Sequence, residues 1–563
     1  MPRNYFAGMP SINIPRSRWN TSYNVTGSFK HGFLVPVDFI PVLPGDSMSY
    51  SFKDLTRMQT PIAPIFGNIK QHFVAFFVPW RLLWEHTEEF FGANKISAGY
   101  QTTTYYFPMA RFSSVEVGSL SHYLGKPLKG ASETDASGNS FFLANILKER
   151  AYYLIWNEYF RAQQVTNPVL IAKTDCGKSQ YAQANIGSFG GNQINPGLAA
   201  SSLMRVAKDF DYFTASTISP QYGAAVELPL GATAPVYIQA GANSQFNTGD
   251  KYGFFVDGGQ FLGNPKKANL SVAGATGEMG ASNSADFATN TIANDAIMYA
   301  DLSTATAAKV NDVRYAFAVQ KYLERANFAG NYFFGILQVH YGVTSPDSRL
   351  QRPEFLGSYE EDILVHQVVA TADTTNSGIT TSVGNTGAMS VTASGGIHLF
   401  DKAFVEPGFV CILRYCRHRQ VYSQGVMRED YKWDRFEIYT PELCNLGDQA
   451  TLTREMYWKA GDSEVFGYQE HWAEYRYRPD RVTGILDPNG ANSLDFWTLA
   501  NKFTTKPQLN DDFILEGRAN VDRALTTGSS YDEYISDTWN HITWTREMPV
   551  RTIPGLIDHF GAM

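Results

Sequence analysis

Gln71-His72-Phe73-Val74-Ala75-Phe76-Phe77-Val78-Pro79 is the stretch on which the fold turns. The run from Phe73 to Val78 is apolar throughout, rich in Phe and Val, and too short to cross a membrane. It therefore predicts a strand buried on both faces. Pro79 ends that strand and opens a short helix that carries Leu83, Thr87 and Phe91 on one side and stops at Gly92. Upstream, Leu43-Pro44-Gly45-Asp46 is turn chemistry, with Pro fixing φ and Gly and Asp tolerating the bend. Behind the turn, Met48, Tyr50 and Phe52 alternate with Ser49 and Ser51, the period of a half-buried strand. Pro36 to Gly92 is thus one β-rich unit.

The whole composition points the same way. The chain has 563 residues, 44% hydrophobic and 18% charged, with a heavy 14% aromatic share. A chain of this size buries roughly three quarters of its unfolded surface. Aromatic, Gly and Pro content with many short alternating segments favours sheet over helical bundles. The formal net charge is −8, so nucleic acid has to be held by a local basic patch or neutralised by another molecule. Cys176, Cys411, Cys416 and Cys444 are too few and too irregular for a disulfide framework, and free thiols suit folding in a reducing cytoplasm. Met1-Pro2-Arg3-Asn4 does not read as a signal peptide, and no stretch approaches about 18 apolar residues. The expectation is a soluble protein.

Residues 1–37 read as an arm. It carries Arg3, Arg16, Arg18 and Lys30 with no acidic residue before Asp38, and Phe6, Trp19 and Tyr23 are interleaved. Pro2, Pro10 and Pro15 argue against regular structure there. Cations with interleaved rings suit single-stranded nucleic acid, so Arg3, Arg16, Arg18, Trp19 and Lys30 are candidate DNA contacts. Packing along a neighbouring subunit is the other reading, and the two are compatible. Further on, Phe142, Ile146, Tyr153, Trp156 and Phe160 predict a helix over about 141–164 packed on a sheet. From Leu228 to Ser303, Gly, Ala, Asn, Ser and Thr dominate, with aromatics at Phe246, Tyr252, Phe254, Phe255 and Phe261 among others. That stretch reads as an exposed excursion from a rigid scaffold. A second helix over about Lys309 to Ala326 brings the chain back, and strands are expected at Phe333–Val339, Phe409–Tyr415 and Phe436–Tyr439.

Catalytic and metal motifs give little. The eleven histidines are dispersed, without a His-Glu-x-x-His or Cys/His zinc pattern. Cys411, Cys416 and His418 are close, but residues 411 and 416 of a strand face opposite sides, which makes them core thiols. Ala172 to Ser179 nearly spells a phosphate-binding loop but lacks its first glycine and a following helix. Asp209 and Asp211 lack the ligands that would complete a calcium loop, and Glu360, Glu361 and Asp362 read as a solvated acidic turn rather than a glycosidase pair. No catalytic residue, cofactor or metal site is expected, and the chain does not read as an enzyme.

Several long segments, in fixed order nearly end to end, carry a resemblance. They include Phe77-Val78-Pro79-Trp80-Arg81-Leu82-Leu83-Trp84, Trp156-Asn157-Glu158-Tyr159-Phe160-Arg161 and Tyr341-Gly342-Val343-Thr344-Ser345-Pro346-Asp347-Ser348-Arg349. Pro554-Gly555-Leu556-Ile557-Asp558-His559-Phe560 closes the series. In these segments the chain resembles the major capsid proteins of gokushoviruses, small single-stranded DNA phages of the microvirus family (Microviridae). The resemblance implies an eight-stranded antiparallel jelly roll with long inter-strand insertions and a few flanking helices. It also implies self-assembly into a T=1 icosahedral shell around circular single-stranded DNA, with a small basic internal protein, a minor pilot protein and a host receptor as partners. The chain then divides into an inner-surface arm (1–37), a core in two parts (38–227 and 304–563) and an insertion (228–303) that rises as a three-fold protrusion. Phe246, Tyr252, Phe254, Phe255 and Phe261 become candidates for protrusion and receptor contacts. The implied location is the virion, assembled in the bacterial cytoplasm. A β-sandwich that binds or cleaves glycans is the competing reading, and a free single-strand-binding protein fits poorly with the acidic charge.

Overall fold

The computed structural model describes residues 16–93, 105–112, 115–128, 142–174, 202–224, 310–330, 332–369 and 386–551. Short strand segments are also described at 187–189, 192–194, 236–239, 270–272, 279–281, 297–300, 374–376 and 379–381, with a few single positions between. Eight strands make the frame: β1 (Ser17–Phe29), β2 (Val35–Val42), β3 (Ser47–Met58), β4 (Ile69–Pro79), β5 (Glu354–Asp362), β6 (Ile397–Ala403), β7 (Gly408–His418) and β8 (Tyr534–Arg546). They form two antiparallel sheets. The first runs β1-β8-β3-β6 and the second β5-β4-β7-β2. Strands 1 and 8, 2 and 7, 3 and 6, and 4 and 5 are paired, so the pairs nest inside one another. That nesting is the connectivity of a jelly roll, a β-sandwich rolled from one long antiparallel ribbon.

The β4 run behaves as its composition predicts. Phe73, Ala75 and Phe77 point into the space between the sheets, where they meet Tyr50 and Phe52 of β3 and Ile542 and Trp544 of β8. Val74, Phe76 and Val78 point the other way, into a second core. The alternation of β3 is equally faithful, with Met48, Tyr50 and Phe52 all buried. At the β2–β3 turn, Gly45 adopts φ +89, a left-handed conformation open to glycine, and Leu43 N donates to the Asp46 carboxylate at 2.9 Å.

The second core is closed by helix α1 (Leu147–Ile155), which buries Leu147, Ala151, Tyr152 and Ile155 against the outer face of the second sheet. The helix expected over 141–164 is shorter. Phe142–Asn145 is a strand paired with Met109–Phe112, and Asn145 Oδ1 accepts from Leu147 N at 2.7 Å to start the helix. Beyond α1 the backbone widens into one π turn over Trp156–Phe160. The Tyr152 hydroxyl donates to Leu34 O at 2.7 Å and accepts from Met204 N at 2.8 Å, tying helix to strand.

Other expectations need correction. The arm is not irregular from Ser17 onward: β1 pairs residue for residue with β8 over its whole length. After Pro79 the chain makes two short turns, Trp80–Leu82 and Thr87–Phe90, rather than one helix, and Phe91 is exposed while Leu83 is buried. Phe333–Val339 is not a strand but helix α2 (Phe333–Tyr341), ended by Gly342 at φ +68. This short run, apolar but for Gln338, has no period that separates the two. Phe436–Tyr439 is not a strand either. Asp434 and Glu437 form a capping box around the short turn Arg435–Glu437.

The chain separates into two compact units, Met1–Tyr222 with Arg325–Met563, and Gly223–Glu324. Within the second, Val236–Gln239 pairs antiparallel with Ile297–Ala300, and Leu270–Val272 with Met279–Ala281. The outgoing chain at Val236 therefore lies beside the returning chain at Ala300. The returning helix runs Val310–Phe328, close to the span expected.

Candidate nucleic-acid interface

In β1 the alternation decides which arm residues are available. Trp19 and Tyr23 turn inward onto the inter-sheet core, whereas Arg18, Asn20, Ser22, Asn24, Thr26 and Ser28 face outward. The outward face is continued across the first sheet by register. Asn24 stands opposite Trp539 of β8, and Trp539 stands opposite Lys53 of β3. The next row on the same face is Ser22, His541, Ser51 and His398. Ser28, Ile535 and Arg57 make the row near the other end.

This face is hydroxyl-rich and sparsely cationic. Small polar pairs tile it: Ser22 Oγ lies 2.7 Å from His541 Nδ1, and Thr26 Oγ1 donates to Asp537 at 2.7 Å. Arg18, Lys53 and Arg57 form no ion pair among the described residues. The Trp539 ring stands 48% exposed between them, a platform on which a base can stack. Near Arg18, a hydrogen bond from Ser49 and then the electrostatic influence of His398 lower the Asp401 carboxyl.

The arm candidates divide accordingly. Arg18 belongs to the face. Arg16 is engaged with Glu547 at 2.8 Å, Trp19 is half-buried in the core, and Lys30 is half-buried at the end of β1. Arg3 lies outside the described residues, as do Phe246, Tyr252, Phe254, Phe255 and Phe261. Lys53, Arg57, Trp539 and His541 escape sequence reading because nothing local marks them. Only the β3–β8 register brings them together.

The motifs weighed for chemistry settle into structural roles. Asp211 accepts from Phe213 N at 2.9 Å and Thr214 N at 2.7 Å, a turn rather than a calcium loop. Asp209 pairs with Arg417 and Glu360 with Lys70. Cys411 and Cys416 lie in different cores, as their spacing on β7 predicts. Residues 175–179 of the near-match to a phosphate loop lie outside the described residues.

The jelly roll leaves the role open, and comparison with known sequences gives the family. The chain belongs to the phage capsid family described as Capsid protein (F protein), whose model matches residues 7–556. This is a structural family, not one of enzymes. Capsid protein VP1 of Bdellovibrio phage phiMH2K is 33% identical over 574 residues, spanning 99% of this chain and 98% of the relative. Capsid protein VP1 of Chlamydia phage 1 is 30% identical, over 98% of each. Capsid protein VP1 of Spiroplasma virus 4 is 29% identical, over 98% of this chain and 97% of the relative. The resemblance to gokushovirus-type capsid proteins is borne out.

Proposed function

We propose that this chain is the major capsid protein of a small phage, closing a T=1 icosahedral shell around a circular single-stranded DNA genome. The match to the capsid family over residues 7–556 carries the reading. Closed assembly from one kind of chain needs only repeated, self-complementary contacts, and long insertions on a rigid sandwich can supply them. The outward face of the first sheet, with Arg18, Lys53, Arg57 and Trp539, is turned toward the genome. Three unpaired cations on a chain of net charge −8 cannot neutralise packaged DNA, so a small basic internal protein shares the task. A minor pilot protein completes the particle, which assembles in the host cytoplasm. The insertion 228–303 rises as the three-fold protrusion that meets the host receptor.

The experiment is the combined change Arg18→Gln, Lys53→Gln and Arg57→Gln. Exposed substitutions change stability by only about 0.5 kcal/mol each, so shells should form. DNA per particle should fall and its retention should become less sensitive to salt. Unchanged DNA content and salt response would remove this face from genome contact.

A further inference from the structure

Three ligand-bearing side chains from distant parts of the chain meet in the interior. His31 sits in the β1–β2 connection, His418 ends β7, and Glu516 lies in the segment that leads into β8. His31 Nε2 is 3.1 Å from His418 Nδ1 and 3.3 Å from Glu516 Oε1, and His418 Nδ1 is 2.6 Å from the same oxygen. His31 and Glu516 are fully buried and His418 is 2% exposed. Gly32 lets the Glu516 segment come this close, because a β-carbon there would stand 2.8 Å from Glu516 O.

We infer that His31, His418 and Glu516 form a structural site for one divalent transition ion of the Zn2+ class. No two of the three atoms are more than 3.3 Å apart. A point about 2.0 Å from all three, the length of a zinc–nitrogen or zinc–carboxylate bond, therefore exists just off their plane. Two imidazoles and one carboxylate select zinc and its neighbours over calcium or magnesium, which prefer oxygen. Both imidazoles are also held on their far sides, and His31 in the manner of a metal-bound histidine. His31 Nδ1 is 2.9 Å from the Tyr534 hydroxyl, and His418 Nε2 is 3.2 Å from the Asn520 amide. Tyr534 accepts the far N–H of a metal-bound His31.

Without an ion the trio is awkward. His31 Nε2 and His418 Nδ1 lie 3.1 Å apart and both face one carboxylate oxygen, so either both donate to it or one lone pair is turned toward it. With an ion, the three lone pairs converge on one charge. The site closes loops of 387 and 485 residues, so it fastens the β1–β2 corner and the β7 end to the segment before β8. Because the ligands are buried, the ion enters during folding and exchanges slowly afterwards.

Particles or soluble chain made in zinc-replete medium, desalted over a chelating resin, test this by elemental mass spectrometry. Wild type should hold about one ion per copy, and His418→Gln and Glu516→Gln about a tenth of that or less. Should the variants not fold, wild-type chain made with Co2+ provides the second readout, the visible absorption of a cobalt ion bound by nitrogen and oxygen. Metal-free wild type of normal thermal stability, or ion content unchanged in a folded variant, would overturn the site.

Discussion

The Gln71 side-chain amide, on β4 of the second sheet, donates to the Asp54 carboxylate, on β3 of the first, at 3.2 Å. Thr56 and Thr538 donate to the same carboxylate at 2.6 and 2.7 Å. Nearby, Arg414 of β7 donates to Ser536 of β8 and lies 4.2 Å from the centre of the Phe29 ring. All of these groups are buried. The sandwich is therefore joined by apolar contact through its middle and by a hydrogen-bonded seam toward one end, where partners on both sheets must arrive in register.

Asp54→Ala strands three donors and leaves Arg414 without a nearby countercharge. Breaking a buried charged network in this way costs about 3–5 kcal/mol. Asp54→Asn keeps one acceptor and should cost less. The thermal midpoint of purified particles, with the yield of soluble chain, checks the order wild type above Asp54→Asn above Asp54→Ala.

Beside the seam, burial first and then the Asp54 charge push the Glu361 carboxyl up to about 7. A carboxyl whose folded pKa is raised favours the folded state only while protonated. That contribution is complete below the unfolded value of about 4.3 and is lost as pH rises through the folded value. Glu361→Gln should match wild type in thermal midpoint at pH 4 and exceed it at pH 8. A constant difference across this range would contradict the assignment.

A β-carbon on Gly425 would stand 1.7 Å from Glu455 O and 2.2 Å from its carbonyl carbon. Backbone bonds on either side, Val426 N to Arg454 O at 3.0 Å and Trp458 N to Gln424 O at 2.9 Å, prevent the loops from parting. Gly425→Ala should cost about 3 kcal/mol or more in unfolding midpoint or abolish soluble chain. Gly396→Ala, where the nearest atom is Lys53 Cε at 3.7 Å, should stay within about 0.5 kcal/mol of wild type.

The antiparallel pairing of Val236–Gln239 with Ile297–Ala300 makes residues 240–296 replaceable. Exchanging them for a short Gly/Ser linker should leave assembly intact, because loop closure costs only about 0.6 kcal/mol per doubling of length. On the proposed function the particles then fail to adsorb to host cells. Normal adsorption would remove the protrusion as the attachment organ.

These predictions rest on elements of unequal legibility. The burial of β4 on both faces and the alternation of β3 follow from residue type alone, since Phe73 to Val78 offers no polar side and Met48, Tyr50 and Phe52 offer one apolar side. The turn at Arg435–Glu437 was misread as a strand from the aromatic residues beside it, although Asp434 and Glu437 stand at capping-box spacing. α2 was not legible, because Phe333 to Val339, polar only at Gln338, shows no period that separates helix from strand. The outward polar face of the first sheet was half legible: Arg18 stands in a charged stretch, whereas Lys53, Arg57 and Trp539 join it only through sheet register. His31, His418 and Glu516 lie too far apart in sequence for any spacing rule to connect them.

The proposed function requires that this chain build a closed icosahedral shell. Purified chain, expressed alone and together with its phage's other particle proteins, is to be separated by size and imaged by electron microscopy. Uniform closed icosahedral particles, with DNA inside those from the full set, are the predicted result. Small soluble oligomers under both conditions, especially ones that bind or cleave glycans, would contradict it.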